Sequence, residues 1–128
     1  MTGPGVTRMP FQYVVLRCVP RVDREEFLNV GVVLYSQQAD YLACASHVEE
    51  ARLLTLAPDL DIASVQSALD AIADICAGSG PSAFIGLGPR FGWIAAPKST
   101  MIQPGPVHGG LAEDPEAELA RLLDMLVR

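Results

Sequence analysis

The sequence predicts one α+β domain: an antiparallel sheet of about five strands, in the order β-β-β-α-α-β-β-α, with helices packed mainly on one face. Three observations carry this. Two apolar, strand-like runs near the N-terminus, Phe11–Val19 and Leu28–Ser36, are joined by a charged connection that starts at Pro20. Two later segments place apolar residues three and four apart behind aspartate caps. Finally, a chain of 128 residues that is 50% apolar and 19% charged suits one hydrophobic core and is too apolar for a disordered chain.

Taken in order, residues 1–10 contain Gly3, Pro4, Gly5 and Pro10 and read as a flexible tail, which leaves residues 11–128 as the domain. In the first run Phe11, Tyr13, Val15 and Arg17 fall on one face and Gln12, Val14, Leu16 and Cys18 on the other, because side chains alternate along a strand. Both faces are mostly apolar, as in the middle of a covered sheet. Pro20 has no N–H for the ladder and ends the run. The second run repeats the pattern around Gly31, whose place inside a strand signals a bulge. A polar turn, Gln37-Gln38-Ala39-Asp40, leads to a third strand at Tyr41–Ala45 that continues the meander.

Ser46, with Glu49 three residues on, has the form of a capping box for a short helix that ends before Pro58. Asp59 or Asp61 then caps a longer helix with Ile62, Val65, Leu69, Ile72 and Cys76 inward, and Gly78 stands at its left-handed C-terminal cap. The seven glycines and prolines from Gly78 to Gly92 predict a loop. Two more strands are expected at Phe91–Ala96 and Thr100–Gln103, followed by a loop through Pro104, Pro106, Gly109 and Gly110. Asp114 as cap and Pro115 in the first turn open a final helix that turns Leu119, Leu122, Leu123 and Leu126 inward.

A net charge of -6 argues against nucleic acid as a partner, because neutralising phosphates needs clustered Lys and Arg. No apolar run is long enough to span a membrane, and the N-terminus lacks the layout of a secretory signal, so a cytoplasmic location is expected. Cys18, Cys44 and Cys76 are odd in number and far apart in apolar segments, which fits reduced thiols in a core. Neither a Cys-x-x-Cys nor a His-x-x-x-His pair is present, so no metal is expected. The glycines at Gly86, Gly88 and Gly92 are not spaced as a dinucleotide fingerprint, so no cofactor is expected.

The chemistry therefore rests on a few polar residues. Arg17 lies among apolar neighbours and needs a partner, because an unpaired buried charge is costly. Glu26 and Asn29, at the foot of the next strand, are the expected partners. One reading is a structural ion pair that fixes the hairpin. Another joins Arg17 to Arg90, Lys98 and His108 around a pocket for a carboxylate or phosphate. His47, beside Ser46 and Glu49, reads as a helix-start residue. His108 sits in a glycine-rich loop of the kind that can carry function. Trp93, next to Phe91 and near Arg90, is either core or the aromatic centre of an interface. No nucleophile stands beside a base in a recognisable arrangement, so no catalytic residue is assigned.

Several of these residues carry a resemblance. Tyr13-Val14-Val15-Leu16-Arg17 followed by Pro20, then Glu26-Phe27-Leu28-Asn29-Val30-Gly31-Val32-Val33-Leu34, are similar to the bacterial family called domain of unknown function 3037. Arg90-Phe91 with Trp93, Pro97-Lys98-Ser99 and Asp114-Pro115-Glu116 extend the likeness along nearly the whole chain from Phe11. Glu25 departs from it, standing where a small residue is expected. The resemblance implies no activity; it implies that the protein is a companion of a HipA-like kinase encoded beside it. Two functions are weighed: an interaction module without catalysis, binding that kinase or another copy of itself, and a small-ligand or hydrolytic domain built on the anion pocket. The missing nucleophile favours the first.

Overall fold

The computed structural model describes residues 7–98 and 100–128. Its strands are β1 (Met9–Cys18), β2 (Leu28–Ser36), β3 (Tyr41–Ser46), β4 (Ile102–Pro104) and β5 (His108–Ala112). Its helices are α1 (Glu50–Leu56), α2 (Ile62–Ala77), α3 (Leu87–Ala95) and α4 (Pro115–Leu126), with single 3-10 turns at Val22–Arg24 and Gly80–Phe84. The expected tail, residues 1–10, lies mostly outside the described residues. Met9 and Pro10 belong to β1, and the Pro10 carbonyl accepts a hydrogen bond from the buried Ser36 hydroxyl at 2.8 Å.

Every strand pairing is antiparallel, and the order across the sheet is β3-β2-β1-β4, with β5 also beside β1. The organising hairpin is β1–β2, as the two apolar runs imply. The bulge falls where Gly31 predicts it: Leu16 faces Gly31 and Arg17 faces Asn29, so Val30 is the extra residue. A Cβ on Gly31 would sit 3.0 Å from the Ala45 carbonyl oxygen, so the bulge needs glycine for room. In the connection, Glu25 takes the left-handed φ of +57°. That conformation costs a side chain roughly 1–2 kcal/mol, which accounts for a small residue being expected there.

Both faces of the sheet are covered, unequally. On one, Val14, Leu16, Cys18, Val30, Val33 and Leu42 pack against Leu53 of α1, Val65 and Leu69 of α2, and Phe91 and Ile94 of α3. On the other, Phe11, Val32 and Leu34 meet Leu119 and Leu122 of α4. Three helices thus gather on one face, and the last crosses to the opposite one, lying over β2 and β3. Three of the caps read from the sequence are in place: Asp61 accepts from the Ala63 N–H, Gly78 ends α2 at φ +75°, and Asp114 accepts from the Glu116 and Ala117 N–H groups.

Three expected elements differ. Phe91–Ala96 is not a strand but the end of α3: Leu87, Phe91, Ile94 and Ala95 recur at helical spacing and face the core, while Pro89 sits harmlessly in the first turn. The fourth strand is Ile102–Pro104, not Thr100–Gln103. The glycines after it form β5 and not a loop. β4 pairs with Leu16–Cys18 and β5 with Met9–Tyr13, so the two lie end to end along one edge of β1, joined at the break by a Gly105 N–H to Val15 carbonyl bond of 2.8 Å. Nor does Ser46 cap α1; it closes β3, and the helix starts after Glu49 without a side-chain cap.

Candidate functional site

A pronounced concavity lies on the three-helix face. Ala71, Asp74 and Ile75 of α2, the Ser79–Ser82 turn with Ile85, and Pro89, Arg90 and Trp93 of α3 line a groove of about 660 Å³. Its walls are formed because Gly78 ends α2 and the following 3-10 turn brings the chain back before α3 begins. α3 buries Phe91 and Ile94, so helical geometry sends Trp93 outward, where it is 58% exposed. Ile85 on the groove and Phe84 beside it are exposed as well, Phe84 at 96%. The tryptophan is therefore not core. An exposed cluster of large apolar side chains beside a groove is characteristic of a binding surface.

The cations expected to form an anion pocket are held apart, each with its own task. Arg90 lays one Nη across the end of α2, donating to the Ile75 carbonyl at 2.8 Å and the Cys76 carbonyl at 3.0 Å. It is thus a cation at a helix C-terminus, satisfying carbonyls that the helix leaves open. Lys98 does the same for α3. Its ammonium donates to the carbonyls of Trp93, Ile94 (3.4 Å) and Ala96 (3.1 Å), and stands 4.5 Å from the centre of the Trp93 ring. Partial burial lowers the Lys98 pKa. His108 is on β5, exposed, its ring 5.2 Å from that of Tyr13.

Arg17 is on the opposite face from Arg90, with Phe11 and Tyr13. The expected Arg17–Glu26 pair does not form: Glu26 is ion-paired with Arg24, its Oε1 2.5 Å from Arg24 Nε. Asn29 faces Arg17 across the sheet, but its amide donates to the Leu126 carbonyl at 3.1 Å and pins the end of α4. The neighbours that Arg17 does have are Phe27, whose ring centre is 4.4 Å from the guanidinium carbon, and Gly105. Neither is a polar partner of the kind sequence reasoning looks for. Phe27 is two residues from Asn29 and legible as aromatic, whereas nothing local links Gly105 to Arg17.

His47 Nε2 and Glu49 Oε1 are 2.6 Å apart, and that hydrogen bond holds the Glu49 carboxyl below its ordinary value. Burial pushes the Cys18 and Cys76 thiols up to about 11 and Cys44 to about 12, with the nearby Arg90 partly offsetting the rise at Cys76. Such thiols are protonated and inert at neutral pH. Among the described residues, no group of three or more His, Cys, Asp or Glu is placed to hold a metal ion, and no helix is long and apolar enough to cross a membrane.

Fold and surfaces together define a small α+β domain with an open antiparallel sheet and an exposed aromatic groove. The chain belongs to the family described as protein of unknown function (DUF3037), whose model matches residues 13–127. The likeness read from the hairpin and from the Arg90-Phe91 and Asp114-Pro115 segments is thereby established. No curated protein and no solved structure matches the chain.

Proposed function

We propose that this protein works by binding another cytoplasmic protein, without turnover, through the groove between α2, the Ser79–Ser82 turn and α3. The observation that supports this most is Trp93: the only tryptophan in the chain is 58% exposed at the rim of an apolar concavity, leaving a large aromatic side chain for a partner to bury. Of the two charged residues in the lining, Arg90 is spent on the α2 carbonyls, whereas Asp74 is exposed and in no ion pair among the described residues. The partner segment that fits is therefore apolar with a Lys or Arg placed to meet Asp74.

A HipA-like kinase, suggested by the family resemblance, is the first candidate. Adding it should shift Trp93 emission to the blue, and Trp93→Ala and Asp74→Lys should each weaken the complex about tenfold or more, as hot-spot truncations do. Both positions are exposed, so both variants should keep the parent melting temperature. Binding that neither variant alters would remove the groove from consideration. A hydrolytic activity lost in His108→Ala would replace the reading with an enzymatic one.

A further inference from the structure

We propose that Arg17 is the recognition residue of a carboxylate-binding site on the half of the sheet that α4 leaves uncovered. α4 lies over β2 and β3, and on β1 the same face presents Tyr13, Val15 and Arg17, all only half-buried. At the end of that strip the Arg17 guanidinium is fixed without ionic help. Its Nη2, Cζ and Nε atoms stand 3.2, 3.3 and 3.3 Å from where a Cβ of Gly105 would be, so the plane lies flat against the glycine, and Phe27 stands 4.4 Å from its carbon. Stacking on an aromatic ring pre-organises the fork and leaves its edges for hydrogen bonds.

None of those edges is used within the protein. Arg17 forms no ion pair and no hydrogen bond with any described residue, and its Nε is buried without an acceptor. A buried donor left open is uncommon in a folded protein and points to a ligand. Of the carboxylates near in sequence, Asp23 is paired with Arg21 and Glu26 with Arg24, and Glu25 forms no ion pair with Arg17. The fork matches one carboxylate. A phosphate is a poorer fit, because a dianion meets a single guanidinium inside a chain of net charge -6, with Phe27 and Val15 as apolar neighbours. The site is separate from the groove at Trp93 and does not depend on it.

The test is a titration of the ¹⁵N-labelled protein, following the Arg17 Nε–H signal and the Phe27 and Gly105 amides. The probes are succinate, the blocked peptide acetyl-Ala-Glu-Ala-amide, and inorganic phosphate. Succinate or the peptide should shift all three signals saturably, and the tighter of the two tells whether the carboxylate is that of a free acid or of a protein side chain. Arg17→Lys keeps the charge but loses the fork, and the amide shifts should need at least about tenfold more ligand. Gly105→Ala, which pushes a methyl into the guanidinium, and Phe27→Leu, which removes the stack, should weaken binding too, and they serve if Arg17→Lys fails to fold. The proposal is overturned if neither carboxylate gives a saturable shift, if phosphate binds as tightly as either, or if the shifts survive these substitutions unchanged.

Discussion

At Gly110 the space for one methyl group is missing. A Cβ there would meet Phe11 Cζ at 2.7 Å and Cε2 at 3.0 Å, and Phe11 is 6% exposed, held by Ala112 and the α4 leucines. Gly110→Ala should therefore destabilise the fold by about 1–3 kcal/mol, the usual cost of overpacking. In a Phe11→Leu background the penalty should shrink, because the two sites share the clash. Urea unfolding of the four variants reads this out, and equal penalties in both backgrounds would mean that Phe11 is not the obstacle. The same contact explains why β5 was hidden in the sequence. Two adjacent glycines read as a loop, and only the ring of a residue about a hundred positions away makes glycine the residue that fits. Arg17 was partly legible for a similar reason. Strand alternation places it with Phe11 and Tyr13, but Arg24 lies two residues from Glu26 and takes that carboxylate first.

Elements that announce themselves by local chemistry were readable. Asp61 and Gly78 bound α2, Asp114 and Pro115 open α4, and Gly31 marks the bulge, each through a backbone requirement that one residue type meets. α3 was not readable, because Phe91-Gly92-Trp93-Ile94 is rich in strand-favouring residues and its helical spacing shows only when Leu87 is counted as its start. Its correction changes what Arg90 does. A cation donating to the Ile75 and Cys76 carbonyls joins α3 to the end of α2, so Arg90→Met should cost about 1.5–3 kcal/mol of stability, the range for a hydrogen bond from a charged donor. Hydrogen exchange should show the loss concentrated in the last turn of α2. A melting temperature unchanged from the parent would refute the capping role.

At the scale of the whole molecule, one core holds all three cysteines: Cys18 and Cys76 fully buried, Cys44 partly. With burial raising Cys18 and Cys76 from 9.0 to about 11, the thiolate fraction at pH 8 falls about 100-fold. Iodoacetamide should thus modify the native protein far more slowly than a free thiol at that pH. Reaction should quicken as pH rises toward 11 and become fast at once in denaturant, with mass spectrometry counting the adducts. Rapid modification of Cys18 in the native state would show that the sheet opens. The broken edge formed by β4 and β5 has a consequence of another kind. A strand as long and apolar as β1 would, if left at a border, offer a continuous row of donors and acceptors to the next molecule. Its neighbour on that side is instead two short pieces separated at Gly105–Val107, and Pro104 and Pro106 bring no N–H to the outer rim. A growing fibril finds no uninterrupted template there, so the irregularity keeps the long apolar strand β1 out of reach at high concentration.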